Sequence, residues 1–153
     1  MLTYRTHKLL TIIIFIFFTN IGFGQGYLDE DPAACQKLRQ LNNLSISYAE
    51  MREHERSGDP YCYVRGTISP AINFHAQLPL QRNWNGRFLQ WGDGGKDGDL
   101  DFANHRVAQG YAVANSNTGH DNGVEPGASF AFNNRQAEID FGYRAVHLSL
   151  IHI

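Results

Sequence analysis

The order of segments predicts an α/β fold with a mixed sheet that is left incomplete. Three observations carry this. Two aromatic and β-branched runs, Tyr61–Ile68 and Ile72–Leu78, lie close enough together to form a hairpin. A strand, a glycine-rich loop, a helix and a further strand follow, and that alternation favours parallel pairing. The last helix has no strand after it, so one parallel strand is left at an open edge that a complete domain normally covers.

Each element has a local reason. Asp31-Pro32 combines an N-cap candidate with proline at the first helical position, so a helix is expected to about Gln40, with Cys35, Leu38 and Leu41 on one side. Leu44–Ala49 alternates as a strand does. Glu50–Pro60 is charged and ends in Ser57-Gly58-Asp59-Pro60, a turn by composition. Ser69-Pro70 separates the two hairpin strands, and His75, alternating with Phe74, is expected at the surface or rim. Asn83-Trp84-Asn85-Gly86 is a turn that leads into a short strand, Arg87–Trp91.

Nine of the 15 glycines lie between Gly86 and Gly127, which makes that stretch mostly loop. Within it, Asp101–Gln109 is expected as a helix closed by Gly110 at C′, and Tyr111–Ser116 as a buried strand. Asn133 and Gln136 resemble a capping box opening a helix at about Arg135, with Phe141, Ala145 and Leu148 at helical spacing on its apolar face.

A chain of 153 residues, 42% apolar and 18% charged, suits one ordinary domain and speaks against disorder, collagen and coiled coil. Residues 1–24 read as an export signal: a basic head with Arg5 and Lys8, the ten-residue apolar run Leu9–Phe18, then Gly22 and Gly24 before Gln25. Spanning a bilayer takes ~20 apolar residues, so no stable membrane anchor is expected. Residues 25–153 form the mature part, secreted or periplasmic. They carry eleven basic and fifteen acidic residues, and this scattered, mildly acidic balance gives no nucleic-acid footprint. In an oxidising compartment the two cysteines, Cys35 and Cys62, read as a structural bridge.

The strongest chemical candidate is Gly92-Asp93-Gly94-Gly95-Lys96-Asp97-Gly98. A glycine loop after a strand exposes backbone N–H groups to an anion, either a phosphate or an ester oxyanion. Neither GxxxxGK[ST] nor GxGxxG is present, which speaks against nucleotides. Asp97, Asp99 and Asp101 occupy positions 1, 3 and 5 of a calcium loop, but Phe102 and Ala108 stand where glycine and the bidentate glutamate belong. No metal site and no cofactor are expected. His120, just past a strand end, is either a pocket residue or a histidine bracing its own loop. GxSxG is absent, and no Ser-His-Asp set can be assembled.

Tyr61-Cys62-Tyr63-Val64-Arg65-Gly66, Trp84-Asn85-Gly86-Arg87-Phe88, Gly92-Asp93-Gly94-Gly95, Asn117-Thr118-Gly119-His120 and Asp140-Phe141-Gly142-Tyr143-Arg144-Ala145-Val146-His147 occur in an order and spacing that resembles the tannase/feruloyl esterase family, which includes mono(2-hydroxyethyl) terephthalate hydrolase. The resemblance runs from about Cys35 to Leu148. It implies an α/β-hydrolase core of which this chain holds the N-terminal part, and a secreted serine esterase acting through an acyl-enzyme on small aromatic esters such as gallates or ferulates. It further implies that Gly94 and Gly95 lend backbone N–H groups to the oxyanion hole and that His120 lies near the pocket. Cys35 and Cys62 match the family's N-terminal disulfide. The family's nucleophile lies in a later Gly-Cys-Ser stretch, with Asp and His later still, so a chain stopping at Ile153 should be inactive alone. Asn117 stands where the family usually has Asp, and the resemblance fades after Leu148. Two other readings compete: a small secreted module binding an aromatic or sugar ligand, and an inert fragment. Oligomeric state is not legible.

Overall fold

The computed structural model describes residues 32–42, 45–92 and 98–147. The export signal, Gly94, Gly95 and Leu148 lie outside the described residues. Five strands form one sheet: β1 (Ser45–Glu53), β2 (Pro60–Ile68), β3 (Ile72–Pro79), β4 (Phe88–Gln90) and β5 (Ala112–Ser116). Their spatial order is β1-β2-β3-β5-β4. The first three joins, β1–β2, β2–β3 and β3–β5, are antiparallel, whereas β4 lies parallel to β5, so the sheet is mixed as expected. Among the described residues β4 pairs on one side only.

β2 explains how both faces are filled. Cys62 and Val64 point to one side, where Cys35, Ala49, Ala76 and Ala114 complete a core with Leu38, Ile46 and Phe88 packed against it. Tyr61 and Tyr63 point to the other, against Ala103, Val107 and Val113. A strand covered on both faces reads as a near-continuous buried run, which is why YCYVRGTI looks apolar rather than alternating. The first core is stapled: Cys35 of α1 (Pro32–Lys37) is bonded to Cys62 with Cα atoms 5.7 Å apart, and neither residue is exposed.

Four expectations need correction. β1 continues through Glu50 to Glu53, because on this edge strand the half-buried Glu50 and Arg52 pair with each other and charge does not end the pairing. The helix expected over Asp101–Gln109 shrinks to α2, Asn104–Val107. Its would-be first turn is held by the sheet instead: the Asp101 peptide binds Asn115 and His75, and the Asn104 side chain accepts from Gln77 at 2.8 Å. Gly110 still closes this segment with φ +83°. His75 is fully buried rather than at the rim, because Phe102 and Tyr63 lie over its ring with centroids 4.5 and 5.6 Å away. The cap of α3 (Arg135–Ile139) is Asn134, whose side chain accepts from the Ala137 N–H at 3.2 Å; Asn133 takes a left-handed conformation, and Gln136 turns to Asp140. The helix then widens into a π-helical turn over Asp140–Arg144. Ala145 is buried beneath it, and Phe141 packs beside Phe130.

Candidate functional site at the strand ends

β4 and β5 run parallel, so Gln90 and Ser116 end at the same edge of the sheet. In open α/β sheets ligands sit outside such carboxyl ends. Two connections leave here: the segment from Trp91 to Asp101, which contains the glycine loop, and the turn Asn117-Thr118-Gly119-His120.

Both flanks of the glycine loop are pinned to β3 and β5. The Trp91 N–H donates to the Ala114 carbonyl at 2.7 Å, and Asn115 Nδ2 donates to the Trp91 carbonyl at 3.0 Å. At the far flank the Asp101 N–H donates to Asn115 Oδ1 at 2.9 Å, and His75 Nε2 donates to the Asp101 carbonyl at 2.8 Å. A carbonyl only accepts, so the His75 proton is on Nε2. Burial is the main cause that holds the His75 imidazole below its ordinary pKa, with Arg65 and Arg52 adding to it and the Asp101 bond opposing it.

The second turn is built around the Asn117 amide. Its Oδ1 accepts from the Asn73 N–H at 2.8 Å and the Gly119 N–H at 3.1 Å, while Nδ2 donates to the His120 carbonyl at 2.7 Å. Thr118 and Gly119 both have positive φ, at 53° and 93°. A Cβ on Gly119 would stand 2.7 Å from Asp140 Cβ, so only glycine lets this turn lie against the helix. Asp140 is buried and bonded to Gln136 and Arg144, and Arg144 Nη2 reaches the Ser69 carbonyl at 2.6 Å.

His120 is 4% exposed, its ring stacked on Phe130 at 3.8 Å with Phe141 edge-on at 6.0 Å. Nε2 has no hydrogen-bond partner among the described residues. It stands 2.8 Å from where a Cβ on Gly98 would be, and the Asn122 N–H donates to the Gly98 carbonyl at 3.3 Å. The two connections therefore meet at Gly98 and His120. An open cleft of about 460 Å³ runs beside them, lined in part by Arg65, Asn73, Gly98, Asp99, Asn117 and Asp121.

Of the residues singled out in the sequence, the structure brings His120 to this edge, while Gly94 and Gly95 fall outside the described residues. Cys35 and Cys62 form their bridge away from the edge, in the core under β2. Sequence reasoning passed over Asn115, placed His75 at the surface or rim, and named Asp140 only as part of its motif. The visible signal for the first was an amide inside the otherwise apolar run Tyr111–Ser116. Among the described residues no three His, Cys, Asp or Glu side chains come together as a metal site would require, and no helix is long and apolar enough to cross a membrane.

Comparison with known proteins gives a consistent picture. The profile of a family described as "Tannase and feruloyl esterase" matches residues 58–151. A probable feruloyl esterase B-2 of Aspergillus flavus is 46% identical over 146 residues, covering 78% of this chain and 27% of that protein. Feruloyl esterase B of Aspergillus niger is 34% identical over 122 residues, covering 75% of this chain and 22% of its own length. The crystal structure of feruloyl esterase B from Aspergillus oryzae superposes with a TM-score of 0.63 at 25% identity, covering 78% of this chain and 27% of that one. A second Aspergillus oryzae esterase, at 19% identity and a TM-score of 0.62, shares the fold. The mixed sheet is thus part of an α/β-hydrolase fold, and the chain spans about a quarter of the length of these relatives.

Proposed function

The chain belongs to the tannase and feruloyl esterase family, and from that premise we propose that it is the N-terminal part of a secreted serine esterase cleaving esters of aromatic hydroxy acids. Residues 1–24 are its export signal, and residues 25–153 begin the catalytic domain. The nucleophilic Ser and its Asp and His partners lie in sequence beyond this chain. The Ser attacks the ester carbonyl, expels the alcohol, and leaves an acyl-enzyme that water hydrolyses. Backbone N–H groups of Gly94 and Gly95 bind the oxyanion of each tetrahedral intermediate, a task for which preorganised donors supply a large share of the acceleration. His120, stacked on Phe130 beside Gly98, lies near the pocket.

The observation that carries this reading is the paired anchoring of Trp91 and Asp101 at the edge where β4 and β5 both end. A glycine loop held at both flanks, beside an open cleft, suits a rigid donor to a developing charge better than a passive connection. The test is hydrolysis of methyl ferulate and methyl gallate. A longer product of the same gene that includes the Gly-Cys-Ser stretch should turn over and lose activity when that Ser becomes Ala. The 153-residue chain should not turn over; nucleophile-dependent hydrolysis by it alone overturns the assignment of the catalytic residues to later sequence.

A further inference from the structure

Two Asn-Gly pairs lie at the surface, Asn85-Gly86 and Asn122-Gly123, and all four residues are exposed. In such a pair the glycine nitrogen, with no side chain to screen it, can attack the asparagine side chain. The rate depends on how freely the side chain and the peptide turn toward each other. Exposure does not distinguish the two pairs, but their hydrogen bonds do. Asn85 is held at three atoms. Its N–H donates to the Gly110 carbonyl at 2.9 Å, Nδ2 donates to the Gln109 carbonyl at 2.8 Å, and Oδ1 accepts from the Arg87 N–H at 2.9 Å. The Asn122 side chain makes no hydrogen bond among the described residues; its own N–H donates to the Gly98 carbonyl at 3.3 Å. Beyond the chain neighbours of Gly123, the one described atom within 4 Å of a would-be Cβ is Asp121 Oδ1, which accepts the Gly123 N–H at 2.8 Å.

We propose that Asn122 is a site of self-modification that converts to isoaspartate, and that Asn85, in the same dipeptide, is protected by its hydrogen bonds. The Gly123 nitrogen bonds to Asn122 Cγ, and the Cγ–Nδ2 bond breaks. Nδ2 leaves as ammonia with the proton that Gly123 gives up, for which Asp121 Oδ1 is the acceptor in place. Water then opens the cyclic imide, and cleavage at the carbonyl next to Cα leaves isoaspartate. The main chain now runs through Cβ and Cγ. Asn122 N and Cβ are packed on Gly98, as is His120 Nε2, all 2.7 to 2.8 Å from a would-be Gly98 Cβ. Lengthening the chain at residue 122 therefore loosens the contact at which the two connections meet. None of this depends on the esterase reading.

The 153-residue chain is aged at mildly alkaline pH, with and without guanidinium chloride, and isoaspartate is located by peptide mapping. In denaturant the two pairs should convert within threefold of each other. In buffer Asn85 should slow at least tenfold and Asn122 less than threefold. Equal rates in buffer, or a faster Asn85, overturn the proposal. Gly123→Ala should slow conversion at residue 122 at least fivefold and leave Asn85 unchanged; an unaltered rate excludes attack by the residue 123 nitrogen. The isoaspartyl form, separated by chromatography, should shift the His120 ring signals in NMR further than Asn122→Asp does, because that variant adds the charge on an unlengthened backbone. Matching His120 signals in the two acidic forms would show that the contact with Gly98 survives the modification, against the proposed loosening.

Discussion

Asn117 and His120 close the turn between them with one hydrogen bond, from the Asn117 side-chain amide to the His120 carbonyl at 2.7 Å. The same amide accepts two backbone N–H groups through its oxygen, from Gly119 within the turn and from Asn73 of β3, and the residue itself is buried. The family resemblance expects aspartate here and marks its loss as a lost carboxylate. In this chain the amide is the better fit, because the His120 carbonyl needs a donor and an ionised carboxylate has none.

Replacing Asn117 with Asp should therefore destabilise the chain at neutral pH by about 1–3 kcal/mol, the usual range for leaving a buried acceptor unmatched. Urea midpoints of the parent and Asn117→Asp measure it. An unchanged midpoint means that the turn reorganises around the carboxylate and that the observed bond contributes nothing.

Glycine at 119 is demanded twice, by its φ of +93° and by the nearness of Asp140. Gly127 shares the first demand, with φ +70°, but has nothing within 4 Å of a would-be Cβ. Gly127→Ala should cost about 1 kcal/mol from backbone strain alone. Gly119→Ala should cost several times that, on the order of 3 kcal/mol, as strain and overpacking add. Thermal unfolding of the two variants side by side gives the comparison; equal losses would show that the helix yields freely.

His75 sets a pH dependence whose sign follows from its burial. Its folded pKa lies below the ordinary value of 6.5, so the unfolded chain takes up the proton first. The stability linked to this group is complete above about pH 6.5 and declines as the pH falls below it. Protonation would place a proton on Nδ1, which is buried with no partner among the described residues, beside Arg65 and Arg52, whose charges also resist it. Urea midpoints at pH 7.5 and 5.0 should differ more in the parent than in His75→Gln. Identical pH slopes would assign the acid sensitivity to other groups.

The Cys35–Cys62 bridge ties α1 to β2, an interior strand of the sheet. Residues so far apart in sequence, separated by 27 positions, should lose about 3 kcal/mol on reduction through the greater freedom of the unfolded chain. The Cys35→Ala, Cys62→Ala double variant, unfolded in urea against the oxidised parent, checks this. A difference under about 1 kcal/mol would mean that strain or residual unfolded structure offsets the cross-link.

What the sequence revealed and what it concealed divide along a physical line. The hairpin, β5 and the turn after β5 were legible because they follow from local composition and spacing, and the bridge because the chain holds one pair of cysteines. β1 was cut short at Glu50 because charge was read as loop, although on an edge strand half the side chains face water. α2 was drawn too long because Asp99 and Asp101 favour a helix start, while the contest for the Asp101 peptide is decided by His75 and Asn115, distant in sequence. His75 itself was misplaced for the same reason: the ring that covers it, Phe102, comes from 27 residues later. At the candidate site, His120 could be named from its motif, but its cage of Phe130 and Phe141 could not.

Arg144 reaches back to the carbonyl of Ser69 across 75 positions, and synthesis gives that bond a direction in time. The acceptor leaves the ribosome first. At roughly 5–20 residues per second the donor follows some 4 to 15 s later, whereas a hairpin forms within about 10 μs. The turn joining β2 and β3 is thus a finished template when the last helix arrives. The turn at Gly119 emerges only 21 residues ahead of Asp140, so for about 1–4 s it stands without the helix that covers it.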